Sequence, residues 1–399
     1  MSASSVSGTG PAFQRGDHGP AVDQIIGLLD DMGLLEGGRP TSYDERVELA
    51  VRTFQQERGL HVDGVVGAAT FRRLDEARWS LGDRILTHLP ANPMAGDDVF
   101  ALQQRLLELG FRVGRVDGYF GPETESGLRE FQRNFGVPAD GTCGPATLKA
   151  LTRLRPLVSG GAPNAMRAQE RIREAGPQLR GKVVVVDPAP IRVAEDYADA
   201  AREIAHDLAE RIEGRLVATG VQAYLTAPRP AGPGSPGGGR HAREVAETDE
   251  AERALFANET NANLCVSLAV DASPNRDASG VATYFFGSDN HNVRSTAGER
   301  LASLVQREIV ARTDLLDLRI HPKAWDFLRR TRMPAVRVEV GYLSNRRDAE
   351  RLADAHFRDV VAEAVVVAVQ RFYLSPEADA HTGFLRLSEL RAGLAQLER

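Results

Sequence analysis

Glu339 is the residue whose type and position most directly suggest chemistry. It stands at the end of the apolar segment Ala335–Val340, where a carboxylate beside a Lewis acid could shuttle protons. Without a Lewis acid it could not activate water toward an amide at a useful rate, and it would instead hydrogen-bond the backbone or a loop hydroxyl. The nine histidines contain no HxxxH or HExxH pair. They are His18, His61, His88, His206, His241, His291, His321, His356 and His381.

The chain around Glu339 alternates between predicted strands and helices. Lys182–Pro188 is a continuous β-branched segment typical of a buried parallel strand. Ala200–Val217 has apolar residues at four-residue spacing, which predicts an amphipathic helix with His206 at its surface. This order of elements indicates an α/β sheet with helices on both faces. Further strands are predicted at Val221–Leu225, Leu264–Val270, Val281–Phe286 and Ala335–Val340, and further helices at Asp249–Asn258, Leu301–Ile309 and Val360–Tyr373.

An internal repeat organises the first 155 residues. Nine pairs of residues that lie 77 positions apart are identical, and no gap is needed to align them. In each copy, helical spacing of apolar residues stops at a glycine, which is the residue that most often ends helices. We therefore predict two small three-helix units packed in tandem. The identical pairs are Gly33 and Gly110, Phe54 and Phe131, Gln55 and Gln132, Gly59 and Gly136, Asp63 and Asp140, Gly64 and Gly141, Gly67 and Gly144, Thr70 and Thr147, and Leu74 and Leu151.

Composition and charge narrow the class of protein. A net charge of −6 argues against a broad nucleic-acid-binding surface, so we expect no nucleic-acid partner. The two cysteines, Cys143 and Cys265, cannot form a disulfide framework, and we expect buried thiols. The first residues show no basic and then apolar signal segment, and no apolar run approaches the ~20 residues that span a bilayer. We therefore expect a cytoplasmic protein.

The two repeats resemble the peptidoglycan-binding domain that is often appended to cell-wall hydrolases. The Phe-Gln, Asp-Gly and Gly-x-x-Thr elements of the repeat carry the resemblance. The second copy also has the family's segment Asp117–Thr124, whereas the first copy has Pro40–Ser42 where that segment begins. Each of these residues could equally serve only to shape a turn. The binding candidates that the resemblance implies are Asp117, Tyr119, Asp140 and Gly141.

The second part of the chain, about residues 181–375, resembles the zinc-dependent N-acetylmuramoyl-L-alanine amidases of the Amidase_3 type. Asp187-Pro188, Arg253 with Ala257-Asn258, and Ser267-Leu268 match three of its motifs, and Pro334–Asn345 matches the last motif closely. The resemblance implies a zinc ion held by two histidines and a glutamate, with a second glutamate that shuttles protons.

The zinc-ligand positions of that family carry other residues here. The first histidine position is Pro190 and the second is Ala269. Counting back from Leu208 gives Ala201 as the glutamate position, with Glu195 and Glu203 nearby as alternatives. None of Pro190, Ala201 and Ala269 has a side-chain donor, and the resemblance leaves Glu339 alone at the proton-shuttling position. We therefore expect no zinc cofactor and no hydrolysis, with a relocated zinc site as the alternative.

The order of the domains is similar to that of the CwlM-like group of actinobacteria, and Trp325–Pro334 fits that group well. The resemblance implies a cytoplasmic regulator of peptidoglycan precursor synthesis, or one peripheral at the inner membrane face. Its implied partners are a Ser/Thr protein kinase, a MurA-type enolpyruvyl transferase that the phosphorylated form activates, and a MurJ-type lipid flippase or a peptidoglycan precursor. Thr382 matches the group's phosphorylated position. The phosphate needs an arginine cluster, either on the surface of the partner enzyme or at Arg329, Arg330 and Arg332, which we expect beside the vacated cleft.

Three functions are compatible with these residues. They are a regulatory pseudo-amidase, an active zinc N-acetylmuramoyl-L-alanine amidase of peptidoglycan turnover, and a non-catalytic scaffold that binds peptidoglycan precursors. The fold class is multidomain in each case, with two small all-α three-helix peptidoglycan-binding-like domains followed by an α/β zinc-amidase-like domain. The predicted segments are a disordered N-terminus (1–13), the two binding-like domains (14–80 and 90–155), a linker (156–180), the amidase-like domain (181–375) and a regulatory tail (376–399).

Overall fold

The structure is a computed structural model that describes residues 12–35, 37–153, 176, 178–190, 193–227, 250–288 and 293–374. The chain divides into two compact units, Met1–Asn164 and Ala165–Arg399. Most of the predicted linker 156–180 and all of the predicted tail 376–399, with Thr382, lie outside the described residues. No helix of the described residues is long and apolar enough to cross a bilayer.

The described part of the first unit forms two three-helix halves, as the repeat predicts. Gly33, Gly59, Gly110 and Gly136 follow the helix ends with φ of 72°, 64°, 89° and 75°, a left-handed conformation that glycine adopts without strain. The predicted helix ends are therefore confirmed. The first half contains α1 (Pro20–Asp31), α2 (Glu45–Glu57) and α3 (Ala68–Ala77), and the second half contains α4 (Asp97–Glu108), α5 (Pro122–Phe135) and α6 (Pro145–Arg153).

Each half also has a short antiparallel β-bridge that we did not predict. Phe13 and Val66 exchange backbone hydrogen bonds of 3.0 and 2.9 Å in the first half, and Leu86 pairs with Cys143 in the second. The prediction that residues 1–13 are disordered is therefore wrong at Phe13, while residues 1–11 lie outside the described residues. The second half begins before the predicted first residue 90, because Leu86 already pairs with Cys143. A single bridge has no alternating pattern of its own, so hydrophobic periodicity does not mark it.

Buried glutamines hold the Asp-Gly turns of both halves. The Nε2 group of Gln132 donates to Oδ1 of Asp140 (2.8 Å), and its Oε1 atom accepts from the N–H of Gly141 (2.9 Å). The same Nε2 group also donates to the carbonyl of Thr142 and to Oγ1 of Thr147, at 3.0 Å each. One side chain therefore satisfies the polar groups of a whole turn from inside the core.

The same arrangement recurs around Gln55 at residues 63–65 and around Gln103 at residues 117–119. In the first half the position of Gln103 is taken by Ile26, which is 2% exposed in the apolar core. Isoleucine has no polar group to offer, so the first half cannot hold a turn of this kind at Pro40–Ser42. This is the physical reason for the altered sequence there.

The two halves pack in tandem, as predicted. Arg58, which follows α2, pairs with Asp97 at the start of α4 at 2.8 Å. A Cβ atom on Gly96 would lie 3.2 Å from the carbonyl oxygen of Glu76, so the start of α4 abuts the end of α3 closely.

The second unit contains a seven-stranded sheet among its described residues. Neighbouring strands β2, β1, β3 and β7 run parallel, whereas β4 is antiparallel to β7 and pairs on its other side with β5 and β6. The strands are β1 (Val183–Pro188), β2 (Gln222–Leu225), β3 (Leu264–Asp271), β4 (Val281–Ser288), β5 (Val293–Arg294), β6 (Asp317–Lys323) and β7 (Ala335–Tyr342). The helices are α7 (Glu195–Ala218), α8 (Glu250–Glu259), α9 (Thr296–Arg312), α10 (Asp326–Arg330), α11 (Arg346–Ala353) and α12 (Ala355–Phe372).

The two faces of this sheet carry different cores, which confirms the predicted α/β layers. Val338 of β7 belongs to the main core, together with residues of α7, α9 and α12. Ala335 of the same strand belongs to a smaller core with α8 and α10 on the other face. Because side chains alternate along a strand, Arg337 and Glu339 share the face of Ala335 and lie progressively closer to the carboxyl edge.

Strand β6 is the main element that we did not predict. Among the described strands it pairs with β4 alone, and its side chains alternate between exposed and half-buried. It contains Pro322, and Arg319 has a φ of 70° where the register with β4 shifts. A polar edge strand with a bulge has no apolar run, so its sequence does not stand out.

Candidate functional site

Three of the predicted site positions meet at the carboxyl ends of the parallel strands. The N–H of Ala189 donates to the carbonyl of Leu268 (2.8 Å), so Pro190 follows β1 beside the end of β3. Ala269 on β3 is the register partner of Glu339 on β7. Pro190 is exposed, Ala269 is fully buried and Glu339 is half-buried. The structure therefore brings Pro190, Ala269 and Glu339 together.

Ala201 is not part of this group. It lies on α7 in the main core, 6% exposed, on the opposite face of the sheet from Glu339. The structure thus separates the predicted glutamate-ligand position from the two histidine positions. His206 on the same helix is 5% exposed, so its predicted surface position is wrong. Helix α12 packs along α7 in this region, with Arg358 paired to the neighbouring Asp207 at 2.5 Å.

An aromatic hydroxyl holds the carboxylate of Glu339. Tyr284 on β4 hydrogen-bonds Glu339, and burial followed by the charge of Glu339 raises the pKa of Tyr284 well above its ordinary value. Burial and the same charge raise the pKa of Tyr342 to about 12. Both phenols therefore stay protonated at neutral pH, and Tyr284 remains a donor to Glu339.

Asp187 is a fully buried carboxylate on the same face of the sheet. It lies on β1, which is separated from β7 by β3. It accepts hydrogen bonds from Oγ1 of Thr226 (2.5 Å), Oγ of Ser267 (2.7 Å) and Nε of Arg253 (2.9 Å). A buried charge must be paired in this way to be tolerated. The residues of three sequence motifs thus form one polar cluster that ties β1, β3 and α8 together.

Arg337 lies two residues before Glu339 on the same face of β7 and interacts with it electrostatically. Its Nη2 atom lies 2.6 Å from Oε1 of Glu250, its side chain is 5% exposed, and its guanidinium stacks on Trp325 at 4.8 Å. Burial tends to raise the pKa of Glu250, but the charges of Arg337 and Arg253 hold that pKa below its ordinary value. Sequence reasoning missed this pair because its members are far apart in the chain and no motif spacing joins them.

The described residues at this edge do not fit a zinc ion. A catalytic zinc site needs three protein ligands with nitrogen, sulfur or oxygen donors. Pro190 and Ala269 offer none, and Ala201 faces the main core. Among the described residues, no group of three or more His, Cys, Asp or Glu side chains lies close enough together to hold a metal ion.

The four peptidoglycan-like candidates lie in the two glutamine-held turns of the second half. Asp117 and Asp140 each use Oδ1 to accept from the glutamine and from the N–H two residues on, and these bonds lower the pKa of Asp140. Gly141 has a φ of 72°, and a Cβ there would lie 2.8 Å from Nε of Arg129. Tyr119 is half-buried. These contacts explain the residue types by turn geometry, and glycan binding stays a prediction.

The arginines expected beside the vacated cleft lie at the opposite edge of the sheet. Arg330 and Arg332 come just before β7 begins, and Asn258 bonds the backbone of both at 2.9 and 2.8 Å. Arg329 is 3% exposed, whereas Glu339 lies toward the far end of β7. The predicted position is wrong because α10 connects β6 to the first residue of β7, at the amino edge.

The last motif is held together by side-chain caps. Asn345 accepts from two backbone N–H groups in the first turn of α11. Asp348 is fully buried and accepts from the N–H of Gly280 (2.9 Å), the N–H of Tyr342 (3.2 Å) and the hydroxyl of Ser279 (2.9 Å). An asparagine before a helix is an N-cap signal that could have identified this role from sequence.

Comparison with known proteins decides the family. A family model described as N-acetylmuramoyl-L-alanine amidase, Amidase_3, matches residues 194–371, and one described as a putative peptidoglycan binding domain matches residues 18–74 and 95–151. The N-acetylmuramoyl-L-alanine amidase CwlM of Mycobacterium tuberculosis is 41% identical over 98% of this chain and 96% of its own length. The chain belongs to the N-acetylmuramoyl-L-alanine amidase family. The predicted resemblance to the CwlM-like group is confirmed.

Other relatives and solved structures match smaller parts of the chain. A probable N-acetylmuramoyl-L-alanine amidase of Bacillus licheniformis is 31% identical over 35% of this chain and 44% of its own length. Among solved structures, the N-acetylmuramyl-L-alanine amidase Ami1 of Mycobacterium smegmatis has a TM-score of 0.40 and 18% identity, and covers 49% of this chain and 98% of its own. The amidase of Clostridium difficile 630 has a TM-score of 0.41 and 20% identity, with 50% and 98% covered.

Proposed function

We propose that this protein is a regulatory pseudo-amidase. It does not hydrolyse muramoyl-L-alanine bonds and binds no zinc. It controls peptidoglycan precursor synthesis from the cytoplasm or from the inner membrane face. When a Ser/Thr protein kinase has phosphorylated it, it activates a MurA-type enolpyruvyl transferase.

The observation that carries this proposal is the lack of donors beside Glu339. Pro190 and Ala269 flank the retained glutamate at the carboxyl edge, and neither side chain can bind a metal ion. Tyr284 donates to the glutamate, and Arg337 on the same face of β7 is paired with Glu250. Such an edge has lost the Lewis acid that lowers the pKa of water and polarises an amide carbonyl.

The choice of partners rests on the similarity to the CwlM-like group. The kinase, the enolpyruvyl transferase and a MurJ-type lipid flippase are the partners implied by that similarity. The ring of Tyr373, at the end of α12, lies 4.3 Å from Nζ of Lys182, which precedes β1. The described chain therefore ends at the amino edge, the edge of Arg330 and Arg332.

Zinc content and hydrolysis test the loss of catalysis. The purified full chain should carry less than about 0.1 equivalents of zinc and release no peptide from muropeptides, because three donors are required. A Pro190→His/Ala269→His variant is the matched control, since it returns two imidazoles next to Glu339. Near-unit zinc in the wild-type chain, with chelator-sensitive hydrolysis, would show an active amidase and overturn the proposal.

Activation of the enolpyruvyl transferase tests the regulatory role. The phosphorylated full chain should raise the transferase rate, whereas Thr382→Ala and a chain truncated after Leu374 should not. Glu339→Gln should activate like the wild type, because it keeps an acceptor for Tyr284 and no catalysis depends on its charge. If the phosphorylated chain binds a peptidoglycan precursor but leaves the transferase unchanged, the protein is a scaffold instead.

A further inference from the structure

The junction between the two halves of the first unit contains a charged pair whose repeat equivalents are apolar. Within the chain, Arg58 and Asp97 pair at 2.8 Å, with side chains 17% and 29% exposed. The 77-residue register places Phe135 of the second half at the position of Arg58. It places Pro20 of the first half at the position of Asp97. Both members of the pair are thus replaced at the two outer ends of the tandem.

Phe135 reproduces the setting of Arg58. The guanidinium of Arg58 lies over the ring of Phe54, 5.5 Å from its centre. The ring of Phe135 stacks on Phe131, the equivalent of Phe54, at 5.7 Å with planes 17° apart. Phe135 is 37% exposed although it is large and apolar. We name the exposed surface around Phe135 the rear face of the second half.

The start of α1 is the open counterpart of the start of α4. A Cβ atom on Gly96 would touch the carbonyl of Glu76 at 3.2 Å, because the first half packs there. A Cβ atom on the equivalent Gly19 would meet no atom within 4 Å. Pro20 is exposed at the first position of α1. We name the surface of Gly19 and Pro20 the front face of the first half.

We propose that the rear face of one copy of this chain binds the front face of a second copy. Phe135 then contacts Pro20 between copies in the way that Arg58 contacts Asp97 within one copy. An aromatic ring and a proline ring complement each other by burying apolar surface, as the two charges do by pairing. The contact joins two different surfaces, so it generates a closed ring or an open row of copies.

Substitutions that copy the internal junction test the proposal. Phe135→Arg introduces the residue found at position 58, which is compatible with stacking on a phenylalanine. Pro20→Asp introduces the residue found at position 97, and an acidic residue suits the first turn of a helix. Leu49→Arg is the control, because Leu49 is 65% exposed on α2 and lies on neither face.

Sedimentation velocity on the full chain at about 1–200 μM measures the association. The wild type and Leu49→Arg should gain mass with concentration, and Phe135→Arg or Pro20→Asp alone should associate at least about fivefold more weakly. The double variant Phe135→Arg/Pro20→Asp should regain association in a form that salt weakens. A wild type that sediments as a single chain throughout, or a Phe135→Arg variant that associates unchanged, would overturn the proposal.

Discussion

The guanidinium of Arg337 lies 2.6 Å from the carboxylate of Glu250, in a buried position two residues before Glu339 on the same strand. The same guanidinium interacts electrostatically with Asp187 and with Glu339. Residues of the amidase motifs therefore surround an internal ion pair. This pair makes the stability of the second unit depend on charges that sequence motifs do not reveal.

Replacing Arg337 should destabilise the second unit strongly. Arg337→Met leaves the half-buried Glu250 without its closest cation. Breaking a buried pair costs about 3–5 kcal/mol in free energy of unfolding, and because Glu250 is 26% exposed we expect the lower end, about 3 kcal/mol. Urea unfolding followed by circular dichroism measures the loss. Arg337→Met/Glu250→Leu should recover most of it, because no charge is then left unpaired. Arg346→Ala, which breaks an exposed pair with Glu350, should leave the unfolding midpoint unchanged, and an equal loss there would contradict the interpretation.

Glu250 should also give the protein an acid-sensitive component of stability. Its pKa in the folded state lies below the ordinary value, so its contribution is complete above about pH 4.3 and is lost as the pH falls through the folded pKa. Unfolding at several pH values compares the wild type with Glu250→Gln. The stability difference should be large at pH 7 and shrink below about pH 4.

Glu213 is a control, because its pKa is shifted in the opposite direction to that of Glu250. Burial and the nearby charge of Glu210 raise its pKa, so the ionised form weakens the folded state. Glu213→Gln should therefore be neutral or stabilising at pH 7, with a difference that fades in acid. If both variants changed stability in the same direction across this range, the assigned charges would be wrong.

The glutamine-held turns should be sensitive to loss of a single amide. Gln132→Leu keeps the volume but leaves polar groups of Asp140, Gly141 and Thr147 without their partner, at a cost of about 2–3 kcal/mol. Gln104→Leu on the exposed side of α4 is the matched control. Chemical denaturation of the full chain, monitored for the helical unit, distinguishes them. Equal stability of the two variants would refute the role of the turn.

The two stacked phenylalanines of α5 should contribute unequally to stability. Phe131 is fully buried against Phe111, and Phe131→Ala should cost about 3–5 kcal/mol. Phe135 is 37% exposed, and Phe135→Ala should cost less than about 1 kcal/mol in dilute solution, where copies are separate. Thermal unfolding at low concentration provides the comparison. A small effect at Phe131 would place its ring outside the core.

Much of this fold follows from sequence patterns because its elements are locally encoded. β-branched runs identified strands such as Val183–Pro188, and glycines such as Gly110 and Gly136 identified helix ends through their left-handed backbone. Strand β6 has no such signal, since a polar edge strand buries little surface. The β-bridges at Phe13 and Leu86 involve single residues, which periodicity cannot reveal.

The candidate site could be predicted only in part. The family motifs indicate Pro190, Ala269 and Glu339, and the structure brings these three residues together because parallel strands end at one edge. Ala201 and the arginines around Arg330 were misplaced, because helix rotation and strand direction decide which face or edge a residue reaches. The partnership of Arg337 with Glu250 depends on tertiary packing between distant segments, so no local pattern encodes it.

In the glutamine-held turns, the residues that fix the backbone differ from the residue whose side chain can vary. Each turn is held from the core by a glutamine, which bonds the aspartate and the backbone of the turn. The side chain of the third turn residue therefore contributes little to the folding free energy. The glutamines are Gln55, Gln103 and Gln132. Tyr119 and Thr142 are the third residues of two such turns, and their side chains differ in chemistry. The third residue of such a turn can therefore be substituted, and the chemistry of the turn surface changed, while the helices stay intact.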